Sequence, residues 1–196
     1  MIVEGGVVAA ASVLRAGSEG SACGSPALSW RLRGVRAPAV RLPFAPGEAL
    51  PGSMVSLAEL ARRRSLAVFF YDRFVPEGAG DEDVELEQAR TEGWREREPE
   101  LEGLGYEIVG VSTQSPEAQA QFALDRMLSF AFLSDSRLLL ADELGLPTRS
   151  GPAGERMYEP LTILVEDGRI AQVFYPLRSP RLDAEIVTAW IKRRRV

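Results

Sequence analysis

Six consecutive apolar residues, Leu66–Tyr71 (LAVFFY), constrain this chain more than any other feature. The run has the length of one strand and no polar face, so it predicts a strand covered on both sides by other layers. Tyr106–Ser112 predicts a second buried strand and Phe130–Leu133 a shorter third. Leu161–Glu166 and Arg169–Tyr175 flank Asp167-Gly168, a dipeptide that favours the positive φ angles of a tight hairpin. Between these runs lie helical segments. Ser56 with Glu59 forms a capping-box pattern opening a helix through Arg64. Asp72–Asp83, with its Pro, Gly and acidic residues, predicts a surface loop. Glu85–Gly103 predicts a helix that Gly93 and Pro99 kink or restart. Ser115-Pro116-Glu117 supplies an N-cap and a proline at the first helical position. Arg137–Leu144 predicts a helix ended by Gly145 and Pro147, and Leu182–Arg194 an amphipathic closing helix. Arg36–Pro46, with three prolines, predicts an edge strand and loop.

The 196 residues, 45% of them apolar, suffice for one domain with a substantial core. Residues 1–27, rich in Gly, Ala and Ser, are expected to form a poorly ordered tail, and 28–196 the domain. A net charge of −5 argues against nucleic acid, and the longest run of basic residues, Lys192–Arg195, lies where it complements a helix C-terminus. No apolar run approaches the roughly 18–20 residues that cross a bilayer, so no membrane association is expected. Val7–Leu14 has a signal-like length, but Glu4 stands in place of a basic flank and Arg15 cuts the run short. The one cysteine, Cys23, can form no internal disulfide, which fits a reducing cytoplasm. The chain has no histidine and no Gly-rich phosphate loop, and Glu82, Asp83, Glu85 and Glu87 lack EF-hand spacing. No cofactor and no metal are expected.

Strands alternating with helices, then a hairpin and a final helix, predict an α/β fold with a central mixed sheet, of thioredoxin-like type. The phrases LGYEIVGVSTQS, FLSD, LADELGLPT and VEDGRIAQVFYPL carry a more specific resemblance. From about Leu32 onward the chain is similar to the alkyl hydroperoxide reductase/thiol-specific antioxidant (redoxin) branch of the peroxiredoxins. That resemblance implies a thiolate at the start of the helix after the first core strand, its pKa depressed by the helix dipole and an arginine. Counting back from Trp94-Arg95 places the family's cysteine at Glu87 and its Thr-Pro at Val84-Glu85. No sulfur lies anywhere between Asp72 and Glu102. The family's arginine that precedes the hairpin strand falls on Pro160, which either takes a cis Glu159–Pro160 bond facing the pocket or opens a strand in trans.

The expected function is therefore that of a degenerate peroxiredoxin-like protein, its cleft reused to bind a small molecule or a protein partner. A carboxylate cannot pass through a sulfenic acid, so Glu87 is no substitute peroxidase residue. An alternative is cofactor-free acid–base catalysis in a specialised bacterial pathway, with Glu87, Tyr71 and Asp72 as catalytic candidates. Arg73, Arg90, Thr113, Glu159 and Pro160 are the binding candidates. A second alternative is residual thiol-dependent peroxidase activity through Cys23, although no basic residue lies between Arg15 and Arg31 to activate it. Trp30, Trp94 and Trp190 are expected to pack the domain or an interface, and Met54, Met127 and Met157 to fill the core. A homodimer is also expected.

Overall fold

Strand β3 (Ser65–Phe70) sends Leu66, Val68 and Phe70 into one core and Ala67 and Phe69 into the other. All five are fully buried. The unbroken apolar run is thus two alternating sets, one for each face of the sheet. The structure is a computed structural model and describes residues 26–45, 53–71, 82–151 and 153–195.

The elements run α1 (Pro26–Leu32), β1 (Leu42–Ala45), β2 (Met54–Val55), α2 (Leu57–Leu60), β3, α3 (Glu82–Gly103), β4 (Tyr106–Ser112), α4 (Pro116–Asp125) and β5 (Ala131–Ser134). They continue with α5 (Leu139–Leu144), β6 (Thr148–Ser150), β7 (Arg156–Tyr158), β8 (Leu161–Glu166), β9 (Arg169–Phe174), a 3-10 turn at Pro180–Leu182, and α6 (Asp183–Arg194). Seven strands form one sheet in the order β2-β1-β5-β4-β3-β8-β9. The pairs β3/β4 and β4/β5 are parallel, and β8 and β9 are antiparallel additions. Parallel neighbours need a crossover, which α3 and α4 provide.

Leu28 and Leu32 of α1, Leu57 of α2 and Leu140, Ala141 and Leu144 of α5 close one face. Trp94 and Leu101 of α3, Ala123 of α4 and Ala184, Val187 and Ile191 of α6 close the other. Gly110 of β4 is required by packing: a Cβ there would stand 2.6 Å from the Phe132 ring and 3.0 Å from that of Phe69.

Several local signals act as expected. Ser56 and Glu59 exchange both bonds of a capping box, Ser115 caps α4, and Asp167 and Gly168 turn the hairpin at φ 51° and 69°. Others need correction. The third strand and α5 are shifted, to Ala131–Ser134 and Leu139–Leu144. Helix α3 starts at Glu82 and runs through Gly93 and Pro99 without a restart, because Trp94 and Leu101 bury on either side of the proline and hold the helix against β4. Among the described residues the cis bond is Tyr175–Pro176, not Glu159–Pro160; Pro160 is trans and directly precedes β8, where its missing N–H costs no ladder bond. Met157 fills the core, but Met54 and Met127 are exposed, and Trp30 lies 75% exposed on the outer side of α1. Helix α1 and the β6/β7 hairpin carry no signal strong enough to have been anticipated.

Candidate functional site

The C-terminal ends of β3 and β4 and the start of β8 meet at one end of the central strands, the rim called the sheet edge below, with the first turns of α3 beside them. Arg90 of α3 reaches into this corner with its side chain wholly buried. Its Nε donates to Asp183 Oδ2 at 2.9 Å, Nη1 to the Phe70 carbonyl at 2.8 Å, and Nη2 to the Leu161 carbonyl at 3.0 Å and Thr162 Oγ1 at 3.2 Å. Nη1 also meets Glu87 Oε2 at 3.4 Å, Nη2 lies 2.8 Å from Asp183 Oδ2, and the guanidinium stands 5.5 Å over the Phe69 ring. Thr162 donates in turn to Asp183 Oδ2 at 2.7 Å.

Burial alone would lower the Arg90 pKa, but Asp183 and Glu87 outweigh it and the net shift is upward. The planar fork satisfies two strand-end carbonyls and two carboxylates at once, which a lysine point charge could not do. Arg90 therefore clamps α3, β3, β8 and α6 together.

Tyr71 lies beside this clamp, wholly buried between the rings of Phe69 (5.7 Å) and Phe132 (6.1 Å). Its hydroxyl accepts from Gln119 Nε2 at 3.1 Å, and that amide also donates to Ser112 Oγ and the Leu133 carbonyl. Burial holds the phenol far above its usual pKa; Ser112 and Gln119 oppose the shift and Glu87 adds to it. Glu87 itself is nearly buried, and its carbonyl accepts from Thr91 Oγ1. Tyr71, Glu87 and Arg90 are thus brought together.

Thr113 is half-buried just beyond β4 at the same sheet edge. Glu159 and half-buried Pro160 stand at the start of β8, and Glu159 Oε2 accepts from the Tyr175 hydroxyl at 2.6 Å. Tyr175 packs against the core on the α1/α5 side of the sheet, whereas Tyr71 and Trp94 belong to the α3 side. Asp72, Arg73 and Cys23 lie outside the described residues.

Sequence reasoning missed Asp183, Thr162, Gln119 and a second buried pair. Asp135, the last residue of FLSD, accepts from the backbone N–H of Leu139 (2.8 Å) and Leu140 (2.9 Å), and from the Tyr158 hydroxyl at 2.5 Å. Asp135 lies three residues before the N-cap Leu138 and accepts from the first helical N–H groups in its place, but nothing local points to Tyr158. Among the described residues no group of three or more His, Cys, Asp or Glu side chains could hold a metal ion, and no helix is long and apolar enough to cross a membrane.

All four tyrosines have raised pKa values. Burial is the first cause in each, reinforced by Glu166 at Tyr106, Asp135 at Tyr158 and Glu159 at Tyr175, which is pushed up to about 12. The unfolded chain ionises its tyrosines near 10, before the folded one does. Their contribution to stability is therefore complete below about pH 10 and is lost as pH rises toward the folded values. Phenolate absorbance is expected to stay low through pH 10 and to rise together with loss of the far-UV helical signal. A full four-tyrosine titration at pH 10 in folded protein would contradict this arrangement.

A mixed sheet with parallel β3/β4/β5, antiparallel β8/β9 and helices on both faces defines a thioredoxin-like α/β protein of peroxiredoxin type. The chain belongs to the AhpC/TSA family, whose pattern matches residues 34–173. Among its relatives, Peroxiredoxin Bcp of Escherichia coli (strain K12) is 26% identical over 155 residues, covering 76% of this chain and 93% of that protein. Peroxidoxin BcpB from Mycobacterium tuberculosis shares the fold at a TM-score of 0.65 and 23% identity, covering 82% of this chain and 96% of that one. Xanthomonas campestris Peroxiredoxin Q gives the same TM-score at 19% identity, covering 82% and 97%.

Proposed function

We propose that this chain is a peroxiredoxin-fold protein that no longer performs thiol peroxidase chemistry and binds a small molecule or a protein partner at the former reaction end of its sheet. One observation carries the reading: Glu87, where the family resemblance places the reactive thiol, is buried and ion-paired to Arg90, whose guanidinium is already committed to Phe70, Leu161, Thr162 and Asp183. A peroxidatic centre needs a thiolate and a cation able to turn toward substrate. Neither requirement is met by these two side chains. Their burial also disfavours the acid–base alternative, since a phenol as far from solvent as Tyr71 stays neutral and a carboxylate locked to Arg90 is a poor proton shuttle. Thr113, Glu159 and Pro160 keep partial exposure at the same sheet edge and form the surface offered to a ligand. The single cysteine and the lack of a spanning helix among the described residues are compatible with work in the cytoplasm.

The deciding experiment measures hydrogen peroxide consumption by the full chain with a dithiol reductant, beside Cys23→Ser. The expected rate is that of the free dithiol for both proteins, without the acceleration of about 10⁶-fold or more that enzymes supply. Catalysed consumption that Cys23→Ser abolishes would return the chain to the peroxidases.

A further inference from the structure

The hairpin between β8 and β9 turns at the opposite end of the strands from Arg90. There Tyr106 of β4 pairs with Ser65 of β3, Glu166 of β8 pairs with Arg169 of β9, and Arg36 forms a bridge to Arg169 on the free side of β9. Side chains alternate along a strand, and Ile170 and Ala37 belong to the α1/α5 core. Arg169 and Arg36 therefore both project to the α3/α6 side, where Tyr106 also packs.

The backbone brings these two cations together. Ala37 N–H donates to the Gly168 carbonyl at 2.9 Å, and Ile170 N–H to the Val35 carbonyl at 2.8 Å. Those bonds flank Arg36 and Arg169 without belonging to either, which makes them a non-hydrogen-bonded pair, the kind whose opposed side chains stand nearest. Like charges directly opposite are destabilising. No carboxylate among the described residues neutralises them. Glu166 is bound by the Tyr106 hydroxyl at 2.5 Å and by Arg194 at 3.0 and 3.1 Å. Arg169 donates instead to the Gly34 carbonyl at 2.8 Å, and Arg36 is exposed with no side-chain partner among the described residues.

A cleft of about 290 Å³ adjoins the pair, its walls including Ser65, Tyr106, Glu166, Asp167, Arg194 and Arg195. The side chains of Ser65 and Asp167 have no hydrogen-bond or ion-pair partner among the described residues. Two guanidinium forks offer paired N–H donors and two positive charges. A phosphate monoester, at about −1.5 to −2 near pH 7, complements both, whereas a monocarboxylate neutralises only one.

We propose that Arg36 and Arg169 chelate the phosphate of a small phosphate monoester whose hydroxylated remainder lies in the adjoining cleft, hydrogen-bonded to Ser65 and Asp167. The site is independent of what binds beside Arg90 at the other end of the strands.

The test follows thermal melting of the full chain with glycerol 3-phosphate, at constant ionic strength set by sodium chloride. The midpoint is expected to rise and saturate with the ester. Inorganic phosphate is expected to bind about tenfold more weakly, because it leaves the cleft empty. Arg36→Gln is expected to weaken ester binding about tenfold or more. Without phosphate the same variant should melt no lower than the wild type, because it removes a like-charge contact. Arg137→Gln, an equal change of charge on an exposed residue beyond the far end of β5, is expected to leave binding unchanged. No rise beyond that in sodium chloride alone, or an equal loss of binding in both variants, would overturn the proposal. So would an Arg36→Gln protein that melts below the wild type in phosphate-free buffer. Equal affinities for the ester and inorganic phosphate would remove the cleft from the site.

Discussion

Replacing Arg90 by methionine is expected to cost about 3–5 kcal/mol of folding stability, because it leaves buried Asp183 and Glu87 without their cation. Methionine restores much of the volume, so the effect is electrostatic more than steric. The Phe70 and Leu161 carbonyls and Thr162 Oγ1 lose a donor in the same step. Arg90→Lys is expected to recover only part of the loss, since an ammonium cannot face two carbonyls and two carboxylates in one plane. Denaturant titration at constant m-value reads the change as a shift in midpoint. A change of under about 1 kcal/mol, the usual size for an exposed pair, would mean that Arg90 is not the clamp described here. For a domain whose total stability lies in the ordinary range of about 5–15 kcal/mol, the expected loss is a large fraction. Arg90 thus holds the geometry of the sheet edge at which the proposed ligand surface lies.

The second large effect is expected at Asp135. Alanine there leaves the Leu139 and Leu140 N–H groups without their acceptor, a loss of the size of a helix cap at about 0.5–2 kcal/mol, and strands the Tyr158 hydroxyl in the core at a further cost of about 1–3 kcal/mol. The sum should come to about 1.5–5 kcal/mol by the same titration. Pairing Asp135→Ala with Tyr158→Phe separates the two parts, because phenylalanine leaves no buried hydroxyl to satisfy. The double variant is expected to be more stable than Asp135→Ala alone. If it is less stable, the 2.5 Å contact between Tyr158 and Asp135 does not carry the stability assigned to it.

Much of the fold was legible in particular stretches. Leu66–Tyr71 and Tyr106–Ser112 announced their strands because a doubly covered strand has no polar positions to blur the signal. Asp167-Gly168 announced its hairpin because few residue pairs tolerate two positive φ angles in succession. Helix α1 was not legible, since a seven-residue helix next to a Gly- and Ala-rich segment has no period to measure. Pro99 misled because propensity is a local preference, and the burial of Trp94 and Leu101 overrides it. At the site, Tyr71, Glu87 and Arg90 could be picked out as polar residues near a strand end. Their partners could not, because Gln119 lies 48 residues from Tyr71 and Asp183 lies 93 residues from Arg90.

The chain's own residues determined two things: the order of strands and helices, because hydrophobic periodicity and turn chemistry act over a few neighbours, and the lack of a thiol in the segment that would present one, because composition does not depend on folding. Tertiary structure alone decided that Arg90 is a clamp rather than an exposed binding cation, that Pro160 enters β8 in trans, and which polar residues share a face. Those outcomes depend on satisfying buried charges and carbonyls with groups distant along the chain. No local pattern encodes that requirement.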